Sequence, residues 1–267
     1  MLLQEYLPFV FQTDHFRKFV EENKKGGLPF FLNWSDFEKY EFLLPDIEKQ
    51  RELSDLLWAA QNTKLAYLEL IRQTDELVKS QFIEMFGAYR NNGVKLSELS
   101  TLGPQNGFYR KGAEIDGFVP IVKMKQLFGN DSMDEADDCD LVSMTEKEIE
   151  RFRLTENDLL FGRRSLVVEG AGKCKRVGKM ERETVFESSM LRVSLNPALV
   201  RPRYVQAWFE TEDGVKAIVA IRAVTTIAGI KGSDLAKIEV PVAPLKLQDE
   251  FLSFMEQSDK SKQIDYR

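Results

Sequence analysis

Histidine is nearly absent. His15 is the only one in 267 residues, which argues against a zinc centre, where imidazole and thiolate usually share the ligand set. It also leaves Ser165, Ser188 and Ser189 without the base a catalytic triad needs. Cysteine is as sparse: Cys139 and Cys174 are too few for a disulfide framework and suit a reducing compartment, so the expected location is cytoplasmic. No apolar run reaches the roughly 18 residues of a membrane span. The opening Met1-Leu2-Leu3-Gln4-Glu5-Tyr6 has no basic segment of a secretory signal. No membrane partner is expected.

Several motifs fail on inspection. Gly170-Ala171-Gly172-Lys173 has the look of a phosphate loop, but Cys174 stands where Ser or Thr would bind magnesium, and Val167 stands where the first glycine belongs. Asn196-Pro197-Ala198-Leu199 lacks the second proline and the aromatic of an amino-methyltransferase motif. The acidic run from Asp131 to Asp140 lacks the spacing and glycine of a calcium loop. The expectation is a non-catalytic chain with no metal and no cofactor of its own.

What is present is a soluble composition, 43% hydrophobic and 30% charged, with a net charge of −6. An acidic whole argues against nonspecific nucleic-acid binding. The charge is unevenly placed, however. Acid concentrates between Asp131 and Glu150, whereas Arg163, Arg164, Lys173, Lys175, Arg176, Lys179 and Arg182 crowd a later stretch. A basic stretch on an acidic chain is either a solvated loop or a focused contact with DNA.

The chain also repeats itself. Ser35-Asp36-Phe37-Glu38-Lys39 matches Ser233-Asp234-Leu235-Ala236-Lys237 at an offset of 198 residues. The same offset pairs Tyr6 with Tyr204, Phe11 with Phe209, Thr13 with Thr211, Gln50 with Gln248 and Lys64 with Lys262. So long a period indicates a duplicated domain, since solenoid repeats run about 20–50 residues.

Hydrophobic spacing predicts helices over 4–22 and 203–222. Ser35 and Glu38 form a potential capping box, and short strands are expected at 40–44 and 238–242. The longest signal is 46–86, where Leu53, Leu57, Ala60, Leu68, Ile71, Val78, Phe82 and Met85 recur at helical spacing and no Gly or Pro intervenes before Gly87, a natural cap. Such a stripe calls for a partner helix, which 246–264 supplies through Leu247, Phe251, Phe254 and Met255. Between them lie strand-length runs at 118–122, 158–161, 166–168 and 190–195, punctuated by turn residues.

Three stretches carry a family resemblance. Val240-Pro241-Val242-Ala243-Pro244-Leu245-Lys246-Leu247-Gln248 leads into the Phe254-Met255-Glu256-Gln257 helix. Asp158-Leu159-Leu160-Phe161-Gly162-Arg163-Arg164-Ser165 is followed by Val185-Phe186-Glu187-Ser188-Ser189. Asp75-Glu76-Leu77-Val78-Lys79-Ser80-Gln81-Phe82 ends the long helix. In this order they resemble the specificity subunit of type I restriction–modification systems. The resemblance implies two target-recognition domains, each reading one half of a split DNA site, held apart by two antiparallel helices. Those helices dock the methyltransferase subunits, which bind S-adenosylmethionine, and a restriction subunit joins through the complex.

On that resemblance the fold is α+β: one mixed-sheet target-recognition domain plus a long helix packed antiparallel on a shorter C-terminal helix. Residues 1–44 are the remnant of a first target-recognition domain, 45–87 the long spacer helix, 88–245 the recognition domain and 246–267 the C-terminal conserved helix. The chain is then either a fragment or a natural half-subunit that pairs with itself. The partners implied are double-stranded DNA and the methyltransferase subunit. A truncated assembly factor that docks the methyltransferase without reading DNA is the alternative.

Side chains for DNA are expected on three loops. Gln105, Asn106, Tyr109, Arg110 and Lys111 form the first, and Arg163, Arg164 and Ser165 the second; both are expected to read bases. Lys173, Lys175, Arg176 and Lys179 form the third, expected to grip phosphate with its glycines allowing close approach.

Overall fold

The computed structural model describes every residue except 28, 113–116, 130, 131, 134–138, 225 and 263–267. Much of the acidic run, from Asp131 to Asp138, therefore lies outside the described residues. The chain divides into two compact units, Met1–Gln73 and Thr74–Arg267.

In the first unit, the helix expected over 4–22 is two helices, Leu7–Val10 and Asp14–Asn23. Thr13 separates them. Its hydroxyl accepts a hydrogen bond from Phe16 N at 3.2 Å and donates one to Val10 O at 2.8 Å. A threonine that serves as cap for one helix cannot continue the other. The next helix, Trp34–Phe37, starts from Asn33, and the capping box expected at Ser35 and Glu38 does not form. The rings of Phe11, Phe16, Phe19, Phe37 and Tyr40 pack together. Residues 40–46 have no regular structure where a strand was expected. Among the described residues no strand pairs with them.

The long helix is a single element, Ile47–Phe86, of 40 residues, so about 60 Å long. Asp46 Oδ1 accepts from Lys49 N at 2.8 Å at its start. Ion pairs one turn apart, Lys49–Glu52, Arg72–Glu69 and Lys79–Glu76, support its exposed sides. Gly87 does not end the chain's helical course but opens a 3-10 turn, Gly87–Tyr89.

The second unit repeats the first in detail. Helices Pro202–Glu210 and Glu212–Ile221 part at Thr211, which caps Gly214 N at 3.3 Å and donates to Trp208 O at 2.7 Å. Helix Gly232–Leu235 matches Trp34–Phe37, and the isolated bridge Ala223–Gly229 matches Lys25–Phe31. The clearest correspondence is at the two glutamines. Gln248 Oε1 accepts from Arg201 N at 2.9 Å, and its amide donates to Leu199 O at 3.3 Å and Ala243 O at 2.8 Å. Gln50 Oε1 accepts from Leu3 N at 2.9 Å, and its amide donates to Met1 O at 3.1 Å and Pro45 O at 2.7 Å. Every partner stands at the 198 offset. Both side chains are buried, at 0% and 1% exposure, so the three bonds satisfy an otherwise costly polar group.

In this unit the strand expected at 238–242 does form, as Glu239–Pro241, because Gly93–Lys95 pairs with it antiparallel. The main sheet has five strands in the order Ser100–Asn106, Met190–Leu195, Asp158–Gly162, Cys174–Val177, Ser132–Met133. The pairings are antiparallel except the last, so the sheet is mixed, as expected. A smaller sheet sets Val119–Val122 between Asp140–Val142 and Val185–Phe186. The run at 166–168 is no strand; it leads into a 3-10 turn, Val168–Gly170.

Alternation along the strands sorts side chains to two faces. Leu159, Phe161, Leu191, Val193 and Leu195 join the core that holds Tyr204, Trp208, Phe209 and Phe251. Leu160, Val177 and Met190 face the other way, onto Val122, Leu127 and Phe186. The last turns of the long helix enter the first core. Phe82 and Phe86 meet Tyr204 at ring centroid distances of 5.3 and 4.8 Å, and both meet Phe251. Leu245–Lys262 forms the C-terminal helix. Phe86 lies against Phe251, while Asp75 and Val78 share a cavity with Met255 and Asp259. Over this stretch the two helices therefore run antiparallel. Of the apolar stripe of the long helix, Val78 and Phe82 are buried at this end, Leu53, Leu57 and Ile71 are half-buried and Leu68 is exposed; off the stripe, Leu56, Leu65 and Leu70 are exposed too.

Candidate nucleic-acid interface

The strand directions bring most of the expected residues to one end of the five-stranded sheet. Ser100–Asn106 and Asp158–Gly162 end there, and Cys174–Val177 and Met190–Leu195 begin there. Backbone hydrogen bonds tie that rim together: Ser188 N to Phe108 O at 3.0 Å, Arg163 N to Ser189 O at 2.7 Å, and Gly162 N to Lys173 O at 2.9 Å. Segments far apart in sequence, around 106–111, 163–165 and 173, thus become neighbours. Two glycines make the close approaches possible. A Cβ at Gly107 would lie 2.1 Å from Glu187 O. Gly172 has φ +85°, and a Cβ there would lie 2.3 Å from Ile218.

The residues of the first expected loop divide by their contacts. Gln105 is inside a strand, and its carbonyl oxygen accepts from the Arg192 guanidinium. Asn106, Tyr109 and Lys111 are exposed at the rim. Arg110 lies over the Phe108 ring at 5.4 Å and donates to both Glu148 carboxylate oxygens, at 2.7 and 2.9 Å, and to Ser143 O. Glu148 also accepts from Thr145 N, which is the main cause holding its carboxyl below the usual carboxylate range, with Arg110 adding to it.

Of the second loop, Arg164 and Ser165 form a two-residue strand paired with Gly229 and Ala228. Arg164 is exposed; Arg163 is half-buried and donates to Ser188 O at 3.1 Å; Ser165 Oγ accepts from Val167 N at 3.1 Å.

The third expected loop is not a loop. Cys174–Val177 is an interior strand, so alternate side chains are drawn to opposite faces. Lys175 is buried at 4% exposure and donates to Gln126 O at 3.0 Å, beyond reach of any phosphate. Arg176 is half-buried, and its backbone N donates to Gln206 Oε1 at 2.7 Å. Lys179 is exposed but follows the strand's far end, opposite the rim, where Gly178 N bonds Met133 O. Lys173 is exposed on the rim, with its ammonium 5.3 Å from the centre of the Phe128 ring.

No family model matches the chain. The specificity subunit of the type I restriction enzyme EcoKI from Escherichia coli (strain K12) is 24% identical over 155 residues, which is 57% of this chain and 33% of that protein. The S subunit of a type I restriction–modification system from M. genitalium superposes with a TM-score of 0.52 at 11% identity, over 98% of this chain and 67% of its own. A chain from a type I restriction–modification complex, solved for its assembly and conformational transition, superposes with a TM-score of 0.56 at 15% identity, over 97% and 64%. The chain is similar in sequence to one type I specificity subunit and in fold to others. It has their fold and spans about a third of the curated relative's length.

Within this specificity-subunit fold, sequence reading passed over Arg192 as an anchor. Arg192 is buried at 5% exposure on the sheet face turned away from the Tyr204 core, 3.9 Å from the Asp158 carboxylate and 5.3 Å from the Phe186 ring centre. It donates to Arg151 O at 2.9 Å and to Arg153 O, and so fixes the end of helix Glu146–Phe152, whose first turn carries Glu148. Burial pushes the Asp158 carboxyl up and the Arg192 guanidinium down. The signal was an arginine amid the apolar run Met190-Leu191-Arg192-Val193, where only a paired charge is tolerated.

Proposed function

We propose that this chain is the sequence-specific DNA-recognition subunit of a type I restriction–modification complex, and that the rim of its five-stranded sheet reads one half of a split duplex target. The observation that carries this reading is the convergence of exposed Asn106, Tyr109, Lys111, Arg164 and Lys173 on one sheet end. Asn106 and Arg164 are the base readers, suited to adenine and guanine respectively. Lys111 and Lys173 neutralise phosphate. Arg163 and Arg110 line the rim, and Arg110 exchanges its Glu148 partner for DNA. Lys175, Arg176 and Lys179 take no part. The chemistry of methylation and cleavage belongs to partner subunits.

The long helix docks the methyltransferase subunit. Its exposed Leu65, Leu68 and Leu70 support this, because apolar side chains in water favour a covering surface. The restriction subunit joins through that complex. Residues 1–44 belong to a second recognition unit. The repeat supports this: Ala228 and Gly229 pair with Ser165 and Arg164 of the recognition domain, and Gly232 abuts Pro104, whereas the matching Phe30, Phe31 and Trp34 are 50%, 55% and 73% exposed. A second recognition sheet, or self-association as a half-subunit, covers that patch.

Selection from a random duplex pool tests the reading. The chain with its methyltransferase enriches one sequence, and Asn106→Ala and Arg164→Ala each relax a different position by about 1–3 kcal/mol. Enrichment unchanged by both substitutions rules out Asn106 and Arg164 as the readers, and a chain that enriches no sequence favours an assembly factor that reads nothing.

A further inference from the structure

The turn that follows Arg164 and Ser165 carries a feature that cations do not explain. Leu166 is 84% exposed and Val167 55% exposed. Buried aliphatic side chains are the rule, and a large one so fully presented on a working surface needs a reason. The turn beneath it is tied down. Arg164 and Ser165 are paired to Gly229 and Ala228, Val167 N bonds Ser165 Oγ at 3.1 Å, and Gly170 N bonds Val167 O at 3.0 Å. Gly170 is pressed so close that a Cβ there would lie 2.3 Å from Ser165 Oγ. The two aliphatic side chains are thus held outward by a fixed backbone.

Their surroundings favour a polyanion over a protein. Arg163 and Arg164 precede the tip, Lys173 follows it, and Glu169 is the one acid in the segment between them. On double-stranded DNA the apolar group within reach of such a tip is the C5 methyl of thymine in the major groove. We propose that Leu166, backed by Val167, is a specificity-determining contact that reads a thymine methyl beside the base read by Arg164. This rests on the DNA-reading role proposed above and adds to it a residue type that charge arguments overlook.

The test uses the full chain with the duplex it enriches from a random pool. Each thymine in that duplex is replaced in turn by deoxyuridine, which removes only the methyl. Wild-type affinity falls about fourfold at one position, the worth of one buried methyl. Leu166→Ala binds the thymine and uridine duplexes equally and keeps the wild-type salt dependence. Its side chain is exposed, so folding is undisturbed, and thermal unfolding confirms that. Lys173→Ala weakens both duplexes alike. A fourfold loss that persists in Leu166→Ala, or specific binding with no sensitive thymine, overturns the contact while leaving DNA reading intact. A wild-type chain that enriches no sequence overturns DNA reading itself, and the thymine contact with it.

Discussion

The two copies of the repeat share a skeleton and differ in what covers it. Gln50 and Gln248 make the same three hydrogen bonds, and Thr13 and Thr211 break the helical run at the same place. Yet Phe30, Phe31 and Trp34 stand in solvent where Ala228, Gly229 and Gly232 lie against a sheet. The hydrogen-bond frame is fixed by local sequence and survives either setting. Side-chain size at the outer face follows the neighbour, small where a sheet is in contact and large where none is described.

The sharpest way to probe that difference is in the cores. Phe251, with 0% exposure, stacks among Phe82 and Phe86; its repeat equivalent, Leu53, is half-buried. Phe251→Ala is expected to cost about 3–5 kcal/mol in urea unfolding, and Leu53→Ala about 1–2 kcal/mol. Equal losses would show that the first copy's core is as closed as the second's.

Next come the outer faces. Gly232→Trp drives a side chain toward Pro104, 3.2 Å from the position of its Cβ, and is expected to destabilise the second unit by about 1–3 kcal/mol. Trp34→Ala removes an exposed ring and changes stability by less than about 0.5 kcal/mol, while self-association in sedimentation falls. A large destabilisation from Trp34→Ala would mean that the patch is structural.

The frame itself should respond evenly. Gln50→Ala and Gln248→Ala each strand two carbonyls and an amide, and each is expected to cost about 1–3 kcal/mol, read by hydrogen exchange in its own unit. A difference between them larger than that range would break the equivalence.

The smallest effect is electrostatic. Lys25 Nζ stands 2.7 Å from Asp36 Oδ2, and this hydrogen bond is the main cause holding Asp36 below its ordinary range; the matching position in the second copy is Ala223. A carboxylate so depressed adds stability above its unfolded value and loses it as pH falls through the folded one. Lys25→Ala should therefore raise the Asp36 titration midpoint in NMR and lessen the first unit's acid sensitivity. An unmoved midpoint would contradict the pairing.

Much of this was legible beforehand. The long helix could be read because one periodic pattern ran unbroken from Ile47 to Phe86, and the repeat because its offset has no gap. The loops were read less well. A strand such as Cys174–Val177, with Lys175 and Arg176 in it, looks like a basic loop until the sheet supplies partners on both edges. Thr13 and Thr211 hid helix breaks because their capping bonds depend on backbone geometry, which a hydrophobic pattern does not record. The rim itself was invisible in sequence, since it is made by strand direction.

That rim is the central claim, and the salt dependence of duplex binding tests it most directly. Each phosphate that a cation no longer neutralises lowers the slope of log affinity against log salt by about 0.9. Removing Lys111 and Lys173 together, both to Ala, is expected to lower it by about 2, whereas Lys179→Ala, at the opposite sheet end, leaves it unchanged. A slope that falls with Lys179→Ala and ignores the double substitution would place DNA on the other end of the sheet and contradict the account.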